Sequence, residues 1–495
     1  MAYEKFLSNL RSRLSSGAFE KGNFTRNVLT ITTGTALSQA ITLAAVPLLA
    51  RIYSPSQLGL LATFLTLSNT VSQLSCLGYQ GAIVLPRRNE SAFTLWVSCL
   101  ILSLFVSAAG AVVFVVYDNE IAALLGNPEL SQWLWLIPIT MIIFAGTEAT
   151  NYWCTRHKAY KEISSGVVHN RLWTAASQLG AGALLTPAPS GALVLGNVFG
   201  SVAGLLVLVR GGMRHVSPHY WKSVRLRRIR SLIIQYRHFP GYGLISSFVA
   251  AVVRSLPVFC LGYFFTPAIV GFFSMANRLV SGPVQLITNS VVKVFYERAN
   301  RAQRDGNLGE LTAGLYERLV ILLLTPMALL SIAAPDLTML LLSEKWAQTG
   351  IYLQWLSIWL FFVASISPLH KIFLIVERQH ELAIINVLLF IATAAGLIAG
   401  GLLENATLAV AAFCISSSLV RLGQGARVMS ISGTPKRRIL TAPVHELLRS
   451  TPFIGCMFLT CYYSENNWII TGIFLLLLTI FALVRMKSVL QPRKN

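Results

Sequence analysis

Apolar runs of about 20 residues, the length that crosses a bilayer as one helix, recur throughout this chain and fall into two blocks separated by a long basic stretch. The stretch, residues 210–240, reads RGGMRHVSPHYWKSVRLRRIRSLIIQYRHFP. Each block holds about six runs, and two more follow the second block. No water-soluble fold has an interior for them: 54% of the 495 residues are hydrophobic and 12% are charged, against about 25% charged in soluble domains. The pattern predicts an all-α polytopic membrane protein with about fourteen transmembrane helices, arranged as six, six and two.

The net charge of +21 raises nucleic acid as a partner, whose footprint is one clustered basic patch. Lys and Arg instead recur in short clusters between apolar runs, which is the pattern of cytoplasmic loops. Nucleic acid is set aside on that ground. Cys76, Cys99, Cys154, Cys260, Cys414, Cys456 and Cys461 all lie in or beside apolar segments. They show no loop spacing for a disulfide framework or a metal site and read as packing residues. The first apolar run begins near Val28, is too long for a signal peptide and is followed by no small-residue cleavage site, so the N-terminus is expected to be retained. Residues 1–27 carry Lys5, Arg11, Arg13, Lys21 and Arg26, with Phe6, Leu10 and Leu14 at helical spacing. An amphipathic helix on the inner membrane surface and a disordered basic tail both fit them.

Helices are predicted over 28–50, 58–77, 93–117, 132–153, 163–185 and 192–209 in the first block. The second block follows the linker 210–240, with helices over 242–263, 271–296, 311–333, 352–373, 382–402 and 406–423. The last two are predicted over 451–463 and 468–485. This organisation gives a first lobe at 28–209, a second at 241–424, a basic cytoplasmic loop at 425–450, and a terminal pair with its tail at 451–495. Loops on the N-terminal side carry Arg87, Arg88, Arg156, Lys158, Lys161, Arg298, Arg301, Arg304, Arg378, Arg427 and Lys436, besides the linker. On the other side Lys345 is the one lysine or arginine apart from Arg51 in the first turn. By the positive-inside rule both termini are cytoplasmic and the number of helices is even. The short thirteenth run leaves twelve helices plus a re-entrant tail as the alternative.

The two blocks open alike. Pro55, Gly59 and Gln73 fall on Pro267, Gly271 and Gln285 without a gap, and Pro47 falls near Pro257 when the outer turn differs by two residues. Repeats with an even number of helices are parallel, related by an axis along the membrane normal, and transporters of that plan bind substrate between the halves. In the eighth helix Ser274, Arg278, Ser281, Gln285 and Asn289 form one polar stripe at spacings of three and four, and Thr66, Thr70 and Gln73 form a weaker one in the second. Such stripes line a water-filled cavity or pack against a polar neighbour.

An arginine at a helix centre costs about 2.5 to 3.5 kcal/mol to insert, so each one calls for a reason. Arg254 and Arg278 reach similar depth in antiparallel helices, with no carboxylate at that level in either. Facing one cavity, they would bind an anion, since guanidinium suits bidentate contact with phosphate; the other reading satisfies them with carbonyls or a carboxylate from another helix. Arg171 and Glu148 are also of similar depth and are expected to pair, with proton or ion coupling through Glu148 as the second reading. His169 and His370 read as packing residues, and Arg318 with Glu317 sits near a cytoplasmic helix end, where it can snorkel. The chain has no P-loop, nucleophile elbow or paired acidic motif, which leaves no enzyme and no cofactor to propose.

The opening TGTALSQAITLAAVPLLARIYSPSQLGLLATFLTLSNTVSQLSCLGYQGAIVLP resembles the start of bacterial polysaccharide biosynthesis proteins of the O-antigen flippase type. These belong to the multidrug, oligosaccharidyl-lipid and polysaccharide exporter superfamily, and FFTPAIVGFFSMANRLVSGPVQLI resembles its second repeat. The resemblance implies a MATE-like exporter fold that moves a polyprenyl-pyrophosphate-linked oligosaccharide between leaflets of the bacterial inner membrane by alternating access. The partners it implies are that glycolipid, membrane lipids and other polysaccharide assembly proteins. It gives the pyrophosphate to Arg254 and Arg278, sugar hydroxyls to polar groups such as Gln39, Gln73, Gln285 and Asn289, and the lipid tail to a groove beside helices thirteen and fourteen. Thr66 stands where the repeat places Arg278, so the second half is expected to carry most of the anion binding. An efflux antiporter of the same superfamily and a membrane-embedded polysaccharide polymerase or ligase are the rival readings; the first calls for carboxylates in the cavity, the second for large outer loops.

Overall fold

The computed structural model describes residues 23–185, 187–464 and 466–490. The N-terminal segment read as an amphipathic helix or a tail therefore lies, up to residue 22, outside the described residues. Fourteen long helices are present among those described. They are α1 (Asn23–Ile52), α2 (Pro55–Ser72), α3 (Asn89–Val116), α4 (Ile137–Arg156), α5 (Tyr160–Leu184), α6 (Ser190–Met213) and α7 (Ile245–Phe264). The rest are α8 (Pro267–Arg304), α9 (Leu308–Leu342), α10 (Ala347–Ile366), α11 (Gln379–Leu402), α12 (Ala406–Ile431), α13 (Arg438–Tyr463) and α14 (Asn467–Leu490).

Ten of these are long and apolar enough to cross a membrane, and the other four are α2, α5, α8 and α13. These four carry more polar and charged residues, which lowers their mean hydropathy. Local chemistry fixes the boundaries. At the start of α2, Ser54 and Gln57 form a reciprocal capping box with Pro55 at the first helical position, the arrangement that S-P-x-Q favours. Asn405 caps α12 by accepting from the Leu408 amide at 2.9 Å.

Packing repeats with an offset of six helices. In the first lobe α1 packs on α5, α2 on α4, α3 on α4, α4 on α6 and α5 on α6; in the second α7 packs on α11, α8 on α10, α9 on α10, α10 on α12 and α11 on α12. The chain is thus two parallel six-helix repeats, and α13 and α14 both lie against α9. In the first lobe α5 and α6 meet along Gly196, Gly200 and Gly204, where side chains and backbone of α5 occupy the space a Cβ would take; small residues at four-residue spacing permit such approach.

Some boundaries differ from expectation. The segment 425–450, expected as a loop, is mostly helix: α12 runs on to Ile431 and α13 begins at Arg438, which makes the thirteenth helix 26 residues long. Pro443, His445, Glu446, Arg449 and Pro452 break the apolar run that would have revealed its first half. Glu446 is buried there and pairs with Arg485 of α14 at 3.2 Å. Within 210–240, two short helices, Pro218–Ser223 and Leu226–Gln235, dock on the start of α3. Arg228 binds Glu90 at 3.3 Å, and Tyr79 donates to the Ile233 carbonyl at 3.2 Å.

The hydrophobic cores place the opening between the lobes. Near the end where α1 meets α2, one core joins Val46, Leu49, Tyr53, Leu61 and Phe64 of the first lobe to Met275, Leu342 and Trp346 of the second. Near the basic face the cores are separate, one around Phe93 and Trp153, the other around Tyr316, Phe361 and Phe373. The lobes are fused at one end and parted at the other.

Candidate functional site

The fusion is centred on the two motifs that the repeat aligns. A Cβ on Gly59 would lie 1.8 Å from the Pro267 carbonyl oxygen, and one on Gly271 would lie 2.0 Å from that of Pro55. Glycine at both positions lets α2 and α8 cross backbone to backbone. From that crossing the facing stripes become more accessible toward the basic face. On α8, Gly271 is buried, Ser274, Arg278 and Ser281 are half-buried, and Gln285 is exposed. On α2, Gly59 is buried, Thr66 and Gln73 are half-buried, and Asn69 is exposed. On α7, Val258 and Leu261 are buried, whereas Arg254, Ala250 and Ser247 on the same face are exposed. These gradients describe a cleft sealed at one end and open at the other.

Three arginines fall at similar depth by residue count along their helices. At 1.5 Å per residue, Arg171, Arg254 and Arg278 lie roughly 15–20 Å from the sealed ends of α5, α7 and α8. Arg278 is within electrostatic reach of Arg171. Their register on α1 agrees: Ser164, two turns before Arg171, donates to the Thr30 carbonyl at 3.2 Å, and Gly282, one turn beyond Arg278, faces the Gln39 Oε1 atom. Beside Arg254, Ser255 shares a hydrogen bond of 2.7 Å with Thr70 of α2 across the lobe boundary. Asn289 was also expected here, and its side chain lies outside the described residues.

The expected pairing of Arg171 with Glu148 is not formed. The ion pairs among the described residues include neither side chain. On α4 Glu148 lies two turns from Thr140, which meets Ser68 on the side of α2 turned away from the cleft. Equal depth did not make the two residues neighbours, because they point in different directions around the first lobe. Arg171 instead stands within electrostatic reach of Arg278. His169 directs Nδ1 at the Ser165 carbonyl at 2.8 Å, and His370 directs its own at that of Ser367, contacts that keep both rings within their own helical segments. Glu317 pairs with Arg438 at 3.6 Å.

Two residues that the sequence did not assign to the site belong to the cleft and its seal. Asn69 continues the stripe of Thr66 and Gln73 at three-residue spacing, a signal that was present in the pattern. Lys345 donates to the carbonyls of Arg51 and Tyr53, both at 3.1 Å; main-chain acceptors leave no side-chain signature to find.

A bundle of two parallel six-helix lobes around a cleft, with cations at its middle level, is the architecture of a membrane transporter. The chain belongs to a family described as polysaccharide biosynthesis protein, whose model matches residues 48–351, more than half of it. It is 25% identical over 309 residues to the succinoglycan biosynthesis transport protein ExoT of Rhizobium meliloti, a match spanning 61% of this chain and 59% of that one. Among solved structures, the fold is similar to the lipid II flippase MurJ in an inward closed conformation, with a TM-score of 0.71 at 12% identity over 94% of this chain and 100% of that one. A multidrug resistance MATE family transporter of the MOP superfamily, in an inward-facing conformation, gives 0.52 at 14% identity over 82% of this chain and 96% of its own. The chain is therefore a multi-pass membrane protein of the polysaccharide biosynthesis protein family.

Proposed function

We propose that this protein translocates a polyprenyl-pyrophosphate-linked oligosaccharide, an O-antigen, capsule or exopolysaccharide unit, from the cytoplasmic to the outer leaflet of the bacterial inner membrane by alternating access. The observation that carries the reading is a cleft open toward the basic face, with Arg278 of the second lobe half-buried in it and Arg171 of the first lobe within electrostatic reach. With Arg254 at the same level, these guanidinium groups offer a pyrophosphate several charge-assisted hydrogen bonds. Gln39, Thr66, Gln73, Ser274, Ser281 and Gln285 supply neutral donors and acceptors for sugar hydroxyls. Thr70 acts differently, since its hydroxyl is engaged with Ser255. The positive-inside rule makes the basic face cytoplasmic, so the cleft opens toward the side on which lipid-linked units are assembled. The names of the relative, a polysaccharide transport protein, and of the structural neighbour, a lipid flippase, support the same class of cargo.

Deletion of the gene is expected to accumulate complete lipid-linked units on the inner leaflet and to remove the surface polymer. Arg171→Gln and Arg278→Gln should fail to restore export while reaching the membrane normally. Accumulation on the outer leaflet would move the step to polymerisation or ligation. Unchanged glycan together with altered drug susceptibility would replace the reading with efflux.

A further inference from the structure

Among the described residues, the turn between α9 and α10 makes three side-chain hydrogen bonds across the lobe boundary. Ser343 opens it with φ of 99°, in the left-handed region that a residue with a side chain rarely occupies, and the 3-10 turn Glu344–Trp346 follows. Lys345 Nζ donates to the carbonyls of Arg51 and Tyr53, and Trp346 Nε1 donates to that of Ala50 at 2.9 Å. Those oxygens close α1, where a helix leaves carbonyls without amide partners and its dipole is negative. An ammonium group from the other lobe supplies both the hydrogen bonds and the charge that this helix end lacks. Trp346 is fully buried in the core shared by the lobes.

The first lobe reaches back in the same way but with weaker chemistry. Gly126, at φ of 63° in the segment between α3 and α4, sits against the end of α7, where a Cβ would lie 1.8 Å from the Gly262 carbonyl oxygen. By the six-helix offset, this is the counterpart of the α9–α10 turn lying on α1. One side of the pseudo-symmetric seal is thus a packing contact, and the other is bonded by Lys345.

We infer that Lys345 is the latch that holds the outer side shut: it caps α1 from the opposite lobe in the inward-open state and must let go of it for the cleft to open outward. The inference rests on the reading of the chain as an alternating-access carrier. It also accounts for a lysine on the face that otherwise carries almost no basic residues. Its position in a strained turn fits a contact that is made and released, since strain is retained where the surrounding structure enforces it.

The test is outward accessibility of a cysteine on the cleft stripe. Ser274→Cys is labelled in intact cells with a membrane-impermeant maleimide, and labelling of the parent chain is subtracted. With Lys345 intact, labelling is expected to be slow. Lys345→Met should speed it about tenfold, the scale set by losing charge-assisted hydrogen bonds, and Lys345→Arg should return it toward the parent rate. Ser357→Cys, fully buried inside the second lobe, should stay unlabelled in every background, which separates opening of the cleft from loosening of the fold. If Lys345→Met does not reach the membrane, Lys345→Gln replaces it and should give a smaller rise in the same direction. Unchanged labelling of Ser274→Cys in the Met or Gln variant, or a rise that Lys345→Arg fails to reverse, overturns the inference. The readout needs no glycan, so failure of the latch and failure of the proposed cargo are seen separately.

Discussion

Arg171 shows what a sequence can say about a residue in a helical bundle and what it cannot. Counting along α5 gives its depth, and the cost of burying a charge says that it has a purpose. The direction in which it points depends on how α5 rotates against α1, which no spacing within α5 reveals. The charge within its electrostatic reach is accordingly Arg278, where sequence reading expected Glu148. This reassignment makes a prediction. Arg171→Gln and Arg278→Gln should each lower glycan export about tenfold or more, as expected when one charged contact of about 1.5–3 kcal/mol is lost. Glu148→Gln should neither rescue nor deepen the Arg171→Gln defect; a double mutant exporting better than Arg171→Gln alone would restore the ion pair. A second test concerns Thr70 and Ser255, which join the lobes through one hydrogen bond. A double-mutant cycle with Thr70→Val and Ser255→Ala, read by thermal unfolding in detergent, should give a coupling of about 0.6 kcal/mol, typical of hydrogen bonds between membrane helices.

Elements were legible in proportion to how apolar they are. The ten helices that meet the length and hydropathy requirement stand out in any pass along the chain. The first half of α13 did not, because its charged residues and two prolines resemble a loop; its helicity depends on packing against α9 through contacts such as Thr325 with Ser450 and on the buried Glu446–Arg485 pair. Packing also decides which glycines tolerate change. A Cβ on Gly200 of α6 would come within 2.0 Å of Thr174 Oγ1 and 2.6 Å of the Thr174 amide nitrogen, whereas one on Gly455 of α13 meets nothing within 4 Å. Gly200→Ala should therefore destabilise the first lobe by about 1–3 kcal/mol, the usual cost of overpacking. Gly455→Ala should be neutral or slightly stabilising, because alanine is the better helix former. Thermal unfolding of the two variants side by side checks the contrast, and equal stability would mean that α5 and α6 do not meet along this face.

For the whole molecule, the repeated P-x-x-x-G motif is where sequence and architecture agree most directly. The alignment of Pro55 and Gly59 with Pro267 and Gly271 marked equivalent positions; the structure adds that these equivalent positions touch each other. A motif on a pseudo-twofold axis meets its own copy, as the patches of a symmetric dimer do. The consequence is a particular pattern of non-additivity. Gly59→Ala places a methyl group on the Pro267 carbonyl and Gly271→Ala places one on the Pro55 carbonyl, so either substitution alone must force α2 and α8 apart at the same crossing. Once they have parted, the second methyl group has nothing left to displace. Each single variant should increase outward accessibility of the Ser274→Cys reporter by a similar factor, and the double variant should exceed either by little, well short of the product of the two. Lobes that move as rigid bodies would show reduced accessibility from the cytoplasmic side in the same variants, because opening one end of a rocking pair closes the other. Additive effects would mean that each glycine serves only its own helix, and an outer opening without inner closure would mean that the lobes flex locally instead of rocking about the cleft.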